Sequence, residues 1–336
     1  EEDTAAKELV AKDAAAAEDA AEEAAEKEEA NEFVATRGGA FGRALEKRAM
    51  AVVRGGYFLE CLERGRPFAH RAKIEEEAPE AIFEGAEAAR RWYEKGHKFL
   101  LVVSYCWLSK EHPDPQMFYL PYLKAVIEGM ASTYETSGID EVGVILDYAS
   151  LYQEPRTERQ LESFRECLRL LGVPYGHRSV TAVRLVGVPA GERRTYDDRG
   201  WTKFESDVIA SKPPAPGPGG WMNALTCSSS IRTSLDTMSK CRRRPLATPS
   251  RFRAEMEERR RRAVEKGVDL FTNGKDRAFL EDIYAETFAM VAESTVVLDF
   301  RGKSIGDSGV DQLSEALERF GQLAVLLVGG NGITEA

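Results

Sequence analysis

Three short apolar runs, the first two ending in polar or aromatic residues, set the pattern of the chain. Phe99 to Val103 leads into Ser104-Tyr105-Cys106-Trp107, and Val142 to Leu146 leads into Asp147-Tyr148. A third run extends from Val180 to Val188. Continuous apolar runs of this length read as parallel strands buried on both faces, with their polar ends where an open α/β sheet binds ligands. Helical spacing fills the gaps. Ile82, Ala86, Ala89 and Tyr93 share one predicted face, closed by Gly96. Leu123, Ile127, Met130 and Tyr134 share another, with Pro121 in its first turn and Ser137-Gly138 at its end. Thr157 and Gln160 form a capping box for a third helix, whose stripe is Leu161, Phe164, Leu168 and Leu171. A fourth helix opens at Arg199-Gly200-Trp201 and sets Trp201 and Glu205 four residues apart, on one face. This alternation predicts an α/β domain over residues 80–211 with a doubly wound, mostly parallel sheet.

The flanking segments differ in character. Residues 1–32 are almost entirely Ala, Glu, Lys and Asp, and predict a solvated helical or disordered arm. Residues 33–79 read as an interrupted helical lead-in. Residues 212–239 hold the Pro/Gly-rich stretch from Lys212 to Gly220 and read as a linker or loop. Residues 240–293 read as a helical connector rich in arginine. Its Glu/Arg spacing favours a solvated helix face, with a phosphate-binding patch as the alternative. In 294–336, Leu298 to Ile305 recurs 28 residues later as Leu326 to Ile333, with helical spacing at Val310, Leu313 and Leu317 between the copies.

Composition narrows the function. The 336 residues carry a net charge of −10, but residues 1–30 hold twelve Asp/Glu and three Lys, a local charge of −9. The remainder is near neutral, and nucleic acid is not an expected partner. No apolar run is long enough to span a bilayer, and the acidic N-terminus resembles neither a secretory nor a transit signal. Five scattered cysteines without a C-x-x-C pair and four separated histidines point to reduced thiols, a cytoplasmic setting and no metal centre. The absence of G-x-G-x-x-G and P-loop patterns disfavours dinucleotide-dependent dehydrogenases and nucleoside triphosphatases.

Ser104, Asp147 and the start of the Trp201 helix are expected to converge beyond the carboxyl ends of the strands. There Glu205 would orient a ribose or stabilise an oxocarbenium-like centre. By spacing alone it reads more simply as a surface acid near a helix N-terminus. Ser104 and Asp147 also read as caps, Trp107 and Trp201 as core or rim aromatics, Arg199 as part of a turn, and His112 as a loop residue or a general base.

The motifs carry a resemblance. Val103-Ser104-Tyr105-Cys106-Trp107, Ile145 to Gln153, and Arg199-Gly200-Trp201-Thr202-Lys203-Phe204-Glu205 resemble, in order and spacing, the three signature blocks of the fungal heterokaryon-incompatibility (HET) domain. That domain is similar in turn to Toll-receptor-type (TIR) domains, whose enzymatic members carry an NAD-cleaving glutamate at the spacing of Trp201 to Glu205. The resemblance covers about 98–210. It departs at Tyr148-Ala149-Ser150, where the family favours Ala-Leu-Cys, and at the loop His112 to Pro115. It implies a TIR- or flavodoxin-like sheet and a site in which Glu205 is catalytic. Ser104, Trp107, Asp147, Arg199 and Trp201 would bind the nucleotide. No cofactor is required, and NAD enters as substrate. The 28-residue repeat resembles the start of a leucine-rich-repeat solenoid of the long type, with Asn331 at its turn. About three copies make a stable solenoid, so further repeats are expected. Together these features resemble multidomain sensors or defence proteins. Two functions follow: an NAD glycohydrolase or cyclase that self-associates through the α/β domain when the repeats bind a protein ligand, or a non-catalytic interaction module using the same surfaces.

Overall fold

A computed structural model describes residues 39–216, 219–228, 235–271 and 276–334. The expected arm at 1–32 lies outside these residues. Helix α1 (Ala40–Glu46) precedes a two-residue strand, β1 (Val53–Arg54). Helices α2 (Gly55–Glu63), α3 (Arg71–Glu77) and α4 (Gly85–Lys95) lead to β2 (Leu100–Ser104). Then come α5 (Leu120–Thr133), β3 (Gly143–Ile145), the single turn α6 (Asp147–Ser150), α7 (Glu158–Arg169), α8 (Gly172–Gly176) and β4 (Thr181–Leu185). Helix α9 (Gly200–Ser211), β5 (Ala224–Cys227), β6 (Ser239–Lys240), α10 (Pro249–Glu265) and α11 (Asp276–Ser294) follow. A strand–helix–strand unit, β7 (Val297–Asp299), α12 (Gly306–Leu317) and β8 (Val325–Leu327), comes last.

The chain is mixed α/β, and its main sheet runs β1-β3-β2-β4-β5-β6. The four inner strands are parallel, while β1 and β6 close the edges antiparallel. From β2 the chain moves to β3 on one side, then crosses back to β4 on the other. The strand order therefore reverses at β2, and a cavity lies beyond the carboxyl ends of β2 and β3. Ser104 is the last residue of β2, in register with Arg184 of β4. Gly143 starts β3 where a Cβ would come within 2.7 Å of Phe99 and Val52 side chains, so close strand packing requires glycine there.

Several local signals form as the pattern predicts. The Thr157/Gln160 capping box is complete, Pro121 lies in the first turn of α5, and Gly138 has a φ of 71°. Other segments differ from expectation. The sheet does not begin at residue 80: β1 pairs with β3, and Leu45, Val52, Phe58 and Phe68 lie in the same core. The supposed linker at 212–239 contains β5, which pairs with β4 through all four of its residues. Helix α4 starts at Gly85, after Ile82, and buries Ala88, Ala89 and Trp92 while Ala86 is exposed. Tertiary bonding selects that face: Trp92 Nε1 donates to the Ser179 carbonyl at 2.8 Å, and a Cβ on Gly85 would lie 2.1 Å from the Glu46 carbonyl oxygen. Strand β4 ends at Leu185, short of the expected Val188.

The arginine-rich segment forms α10 and α11 packed against α9. Phe252 stacks on Tyr284 at 3.7 Å, and buried Lys203 of α9 joins Asp207 and Glu255. On the outer face of α10, Arg260 pairs with Glu257 and Arg261 with Glu258. In the C-terminal unit Val297 pairs with Val325 and Leu298 with Leu326, so the 28-residue sequence repeat is also the strand register. Asn331 fixes its turn. Its Oδ1 accepts from the Lys303 N–H at 2.9 Å, and its Nδ2 donates to the Phe300 and Val328 carbonyls at 2.8 and 2.6 Å.

Candidate active site

Glu205 sits in the second turn of α9, and that helix crosses the end of β2. Its Oε2 accepts from Ser104 Oγ. Ser104 is fully buried, and with its proton directed to Glu205 its oxygen is left to accept from Tyr196. Ser206 in turn donates to the Tyr196 hydroxyl at 3.1 Å. A line of hydroxyl donors therefore ends on one carboxyl oxygen. The Tyr175 hydroxyl of α8 lies beside Glu205 and donates to the Val103 carbonyl at 3.4 Å.

Asp147 opens α6 at the end of β3. Its Oδ1 accepts from the Tyr105 hydroxyl at 2.7 Å and the Tyr148 N–H at 2.6 Å, and its Oδ2 accepts from Trp107 Nε1 at 2.7 Å. Among the described residues neither Glu205 nor Asp147 is ion-paired to Lys, Arg or His. Burial raises the Glu205 pKa from 4.5 to about 8, and the charge of Asp147 adds to the rise against the pull of its hydrogen bonds. Burial also raises Asp147, opposed by Tyr105, Trp107 and the Tyr148 amide.

Both acids line a cavity of about 350 Å³. Its apolar wall includes Phe164 and Leu168, so the α7 stripe turns partly to the cavity while Cys167 is the residue that α7 buries. The cavity is lined by Trp107, Arg199 and Trp201 as well. Trp201 Nε1 donates to Asp276 at 3.3 Å, and Arg199 donates to the Trp107 carbonyl at 2.5 Å, clamping the loop after β2 to the start of α9. Gly200 has no Cβ because the Phe271 ring occupies that space; an added Cβ would lie 2.2 Å from it. The six predicted residues, Ser104, Trp107, Asp147, Arg199, Trp201 and Glu205, thus gather at one crevice. Ser104 lies behind Glu205, and the other five face the cavity.

His112 takes no part. Its Nε2–H donates to the Phe68 carbonyl at 2.7 Å, its Nδ1 accepts from the Asp114 amide at 2.9 Å, and its ring packs on Phe68 and Tyr148. Tyr105, Tyr175, Tyr196 and Arg194 escaped the sequence reading. Of these, Tyr105 had a local signal inside the Val103 to Trp107 block, and Arg194 one as half of the Arg193-Arg194 pair just ahead of the Arg199 block.

Compared with known proteins, the chain matches no family model, no curated protein and no solved structure. Among the described residues no cluster of His, Cys, Asp or Glu is placed to hold a metal, and no helix is long and apolar enough to cross a membrane.

Proposed function

We propose that the α/β unit is a TIR/HET-like domain that cleaves the bond between nicotinamide and ribose in NAD. One observation carries this reading: two half-buried acids face one cavity at the strand-order reversal and are held by neutral donors alone. Each acid raises the cost of ionising the other, so the arrangement favours a ligand that brings positive charge. NAD brings it twice, first on the pyridinium ring and then on the ribosyl centre as the bond breaks.

In this mechanism the electron pair of the C1′–N1 bond leaves with neutral nicotinamide, so no acid is needed to protonate the leaving group. Glu205, ionised when the cationic substrate arrives, stabilises the oxocarbenium-like centre, and the Ser104 hydroxyl holds its carboxylate in place. Water adds to C1′ and releases a proton, giving ADP-ribose; attack by a group of the substrate itself would give a cyclic product. The C-terminal unit, in the same reading, begins a leucine-rich-repeat surface for a protein ligand.

Nicotinamide release from NAD by the full chain, measured beside Glu205→Gln, tests the proposal. The expected result is turnover that the substitution lowers by about a hundredfold or more. Turnover that survives the substitution removes Glu205 from the mechanism. A folded, concentrated protein with no turnover returns the domain to the non-catalytic interaction module.

A further inference from the structure

The cavity that holds Glu205 and Asp147 is also lined by Lys110, Arg156, Arg194 and Arg199. Arg156 is engaged: it pairs with Glu154 and lies 3.6 Å over the Phe164 ring. Arg194 and Arg199 are placed differently. Arg199 is 6% exposed and donates to the carbonyls of Trp107 and Arg194, yet its Nε is buried without a hydrogen-bond partner. The Nε of Arg194 is likewise buried and unpartnered. The two guanidinium groups repel: the Arg194 pKa is lowered by burial first and by Arg199 second. Among the described residues Arg199 is paired with one carboxylate, Glu192 at 3.8 Å, and Glu192 and Asp269 partly offset the charge of Arg194. Crowded like charges with unsatisfied buried donors are costly unless an anion completes them.

The N-terminus of α9 borders the same cavity through Gly200, Trp201 and Thr202; no side chain caps it, and the Gly200 N–H donates to the Leu270 carbonyl at 3.0 Å. A twelve-residue helix presents partial positive charge at that end. No guanidinium of the pair lies within ion-pair range of Glu205 or Asp147. The cavity therefore carries two separate charge clusters, one acidic and one basic.

We propose that Arg194 and Arg199, beside the start of α9, form a diphosphate subsite, so that the ligand of this cavity carries a cationic centre and a diphosphate in one molecule. The cationic half rests on the glycohydrolase reading. The diphosphate half stands on the arginine pair alone.

Inorganic pyrophosphate is the probe, titrated into the full chain and followed by tryptophan fluorescence, since Trp107 and Trp201 line the cavity. Saturable binding is expected, weakening as salt passes about 0.1 M, where the Debye length is about 10 Å. Arg194→Gln should weaken it by about tenfold to a hundredfold, the effect of losing a charge-assisted bond. Arg199→Lys should weaken it similarly, because a lysine cannot reproduce the planar fork. Glu205→Gln should leave it within about twofold, as expected for a separate charge cluster. Circular dichroism shows whether each variant is folded. No binding to the folded wild-type chain, or binding that Arg194→Gln leaves unchanged, overturns the subsite. Pyrophosphate binding without any nicotinamide release keeps the subsite and removes the glycohydrolase. Nicotinamide release that pyrophosphate does not inhibit has the reverse meaning.

Discussion

At Glu205 the same burial that suits a cationic ligand costs stability when no ligand is present. Its folded pKa of about 8 exceeds the ordinary 4.5, so between those values the folded chain holds a proton that the unfolded chain has lost. The contribution to stability is complete below about pH 4.5 and is lost as pH rises through about 8. Glu205→Gln removes this dependence. The variant should match the wild type near pH 4.5 and exceed it near pH 9 by about 2 kcal/mol, less than the full shift implies because the cavity admits water. Urea denaturation across pH reads the difference, and a gap that does not widen with pH would count against the buried, protonated acid. Activity should depend on pH in the opposite sense. Below about pH 8, kcat/KM should rise about tenfold per pH unit as Glu205 ionises in the free protein. The kcat profile should lie at lower pH, since the bound cation favours the carboxylate. Ser104, Tyr175, Tyr196 and Asp147 surround this group, and of these Asp147 is the other carboxyl, its pKa also raised by burial.

Among the elements, α9 sets the geometry, and its entry depends on a missing methyl. A Cβ on Gly200 would meet the Phe271 ring at 2.2 Å. Gly200→Ala should therefore cost about 1–3 kcal/mol in urea denaturation and lower turnover by displacing the first turn. Gly321→Ala is the control, since nothing lies within 4 Å of its Cβ position; it should change stability by less than about 0.5 kcal/mol. Equal effects at the two sites would show that the ring contact is immaterial. The parallel strands were legible because burial on both faces writes them as unbroken apolar runs, and the Thr157 box because its signal is local. The four-residue β5 carries no such run, and only pairing with β4 makes it a strand. Tyr175 and Tyr196 lie in short segments without periodicity and reach Glu205 through the fold, so nothing near them in sequence announces their role. The four-residue spacing of Trp201 and Glu205 put both on one helix face, but by itself it favoured a surface acid and said nothing of the charge pattern around them.

Across the whole molecule, α11 joins helix α8, the cavity and the C-terminal unit. Asp276, at its start, accepts from Trp201 at the cavity wall. Thr287, near its middle, packs where a Cβ on Gly172 would come within 2.4 Å. Phe288 lies edge-on to Phe320 beyond α12, with ring centroids 6.2 Å apart. Nineteen helical residues span about 28 Å, so one stiff element touches both the candidate site and the repeat. A ligand that shifts the repeat would thereby act on Trp201 through a packed helix. Phe320→Ala tests that connection. Removing a buried ring of this kind costs about 3 kcal/mol. If α11 is held from both ends, hydrogen exchange should quicken beyond Phe288 and reach the turn that carries Asp276, and nicotinamide release should change with it. Faster exchange confined to α12 and β8, with α11 and turnover as in the wild type, would mean that the two units share a core but do not communicate through it.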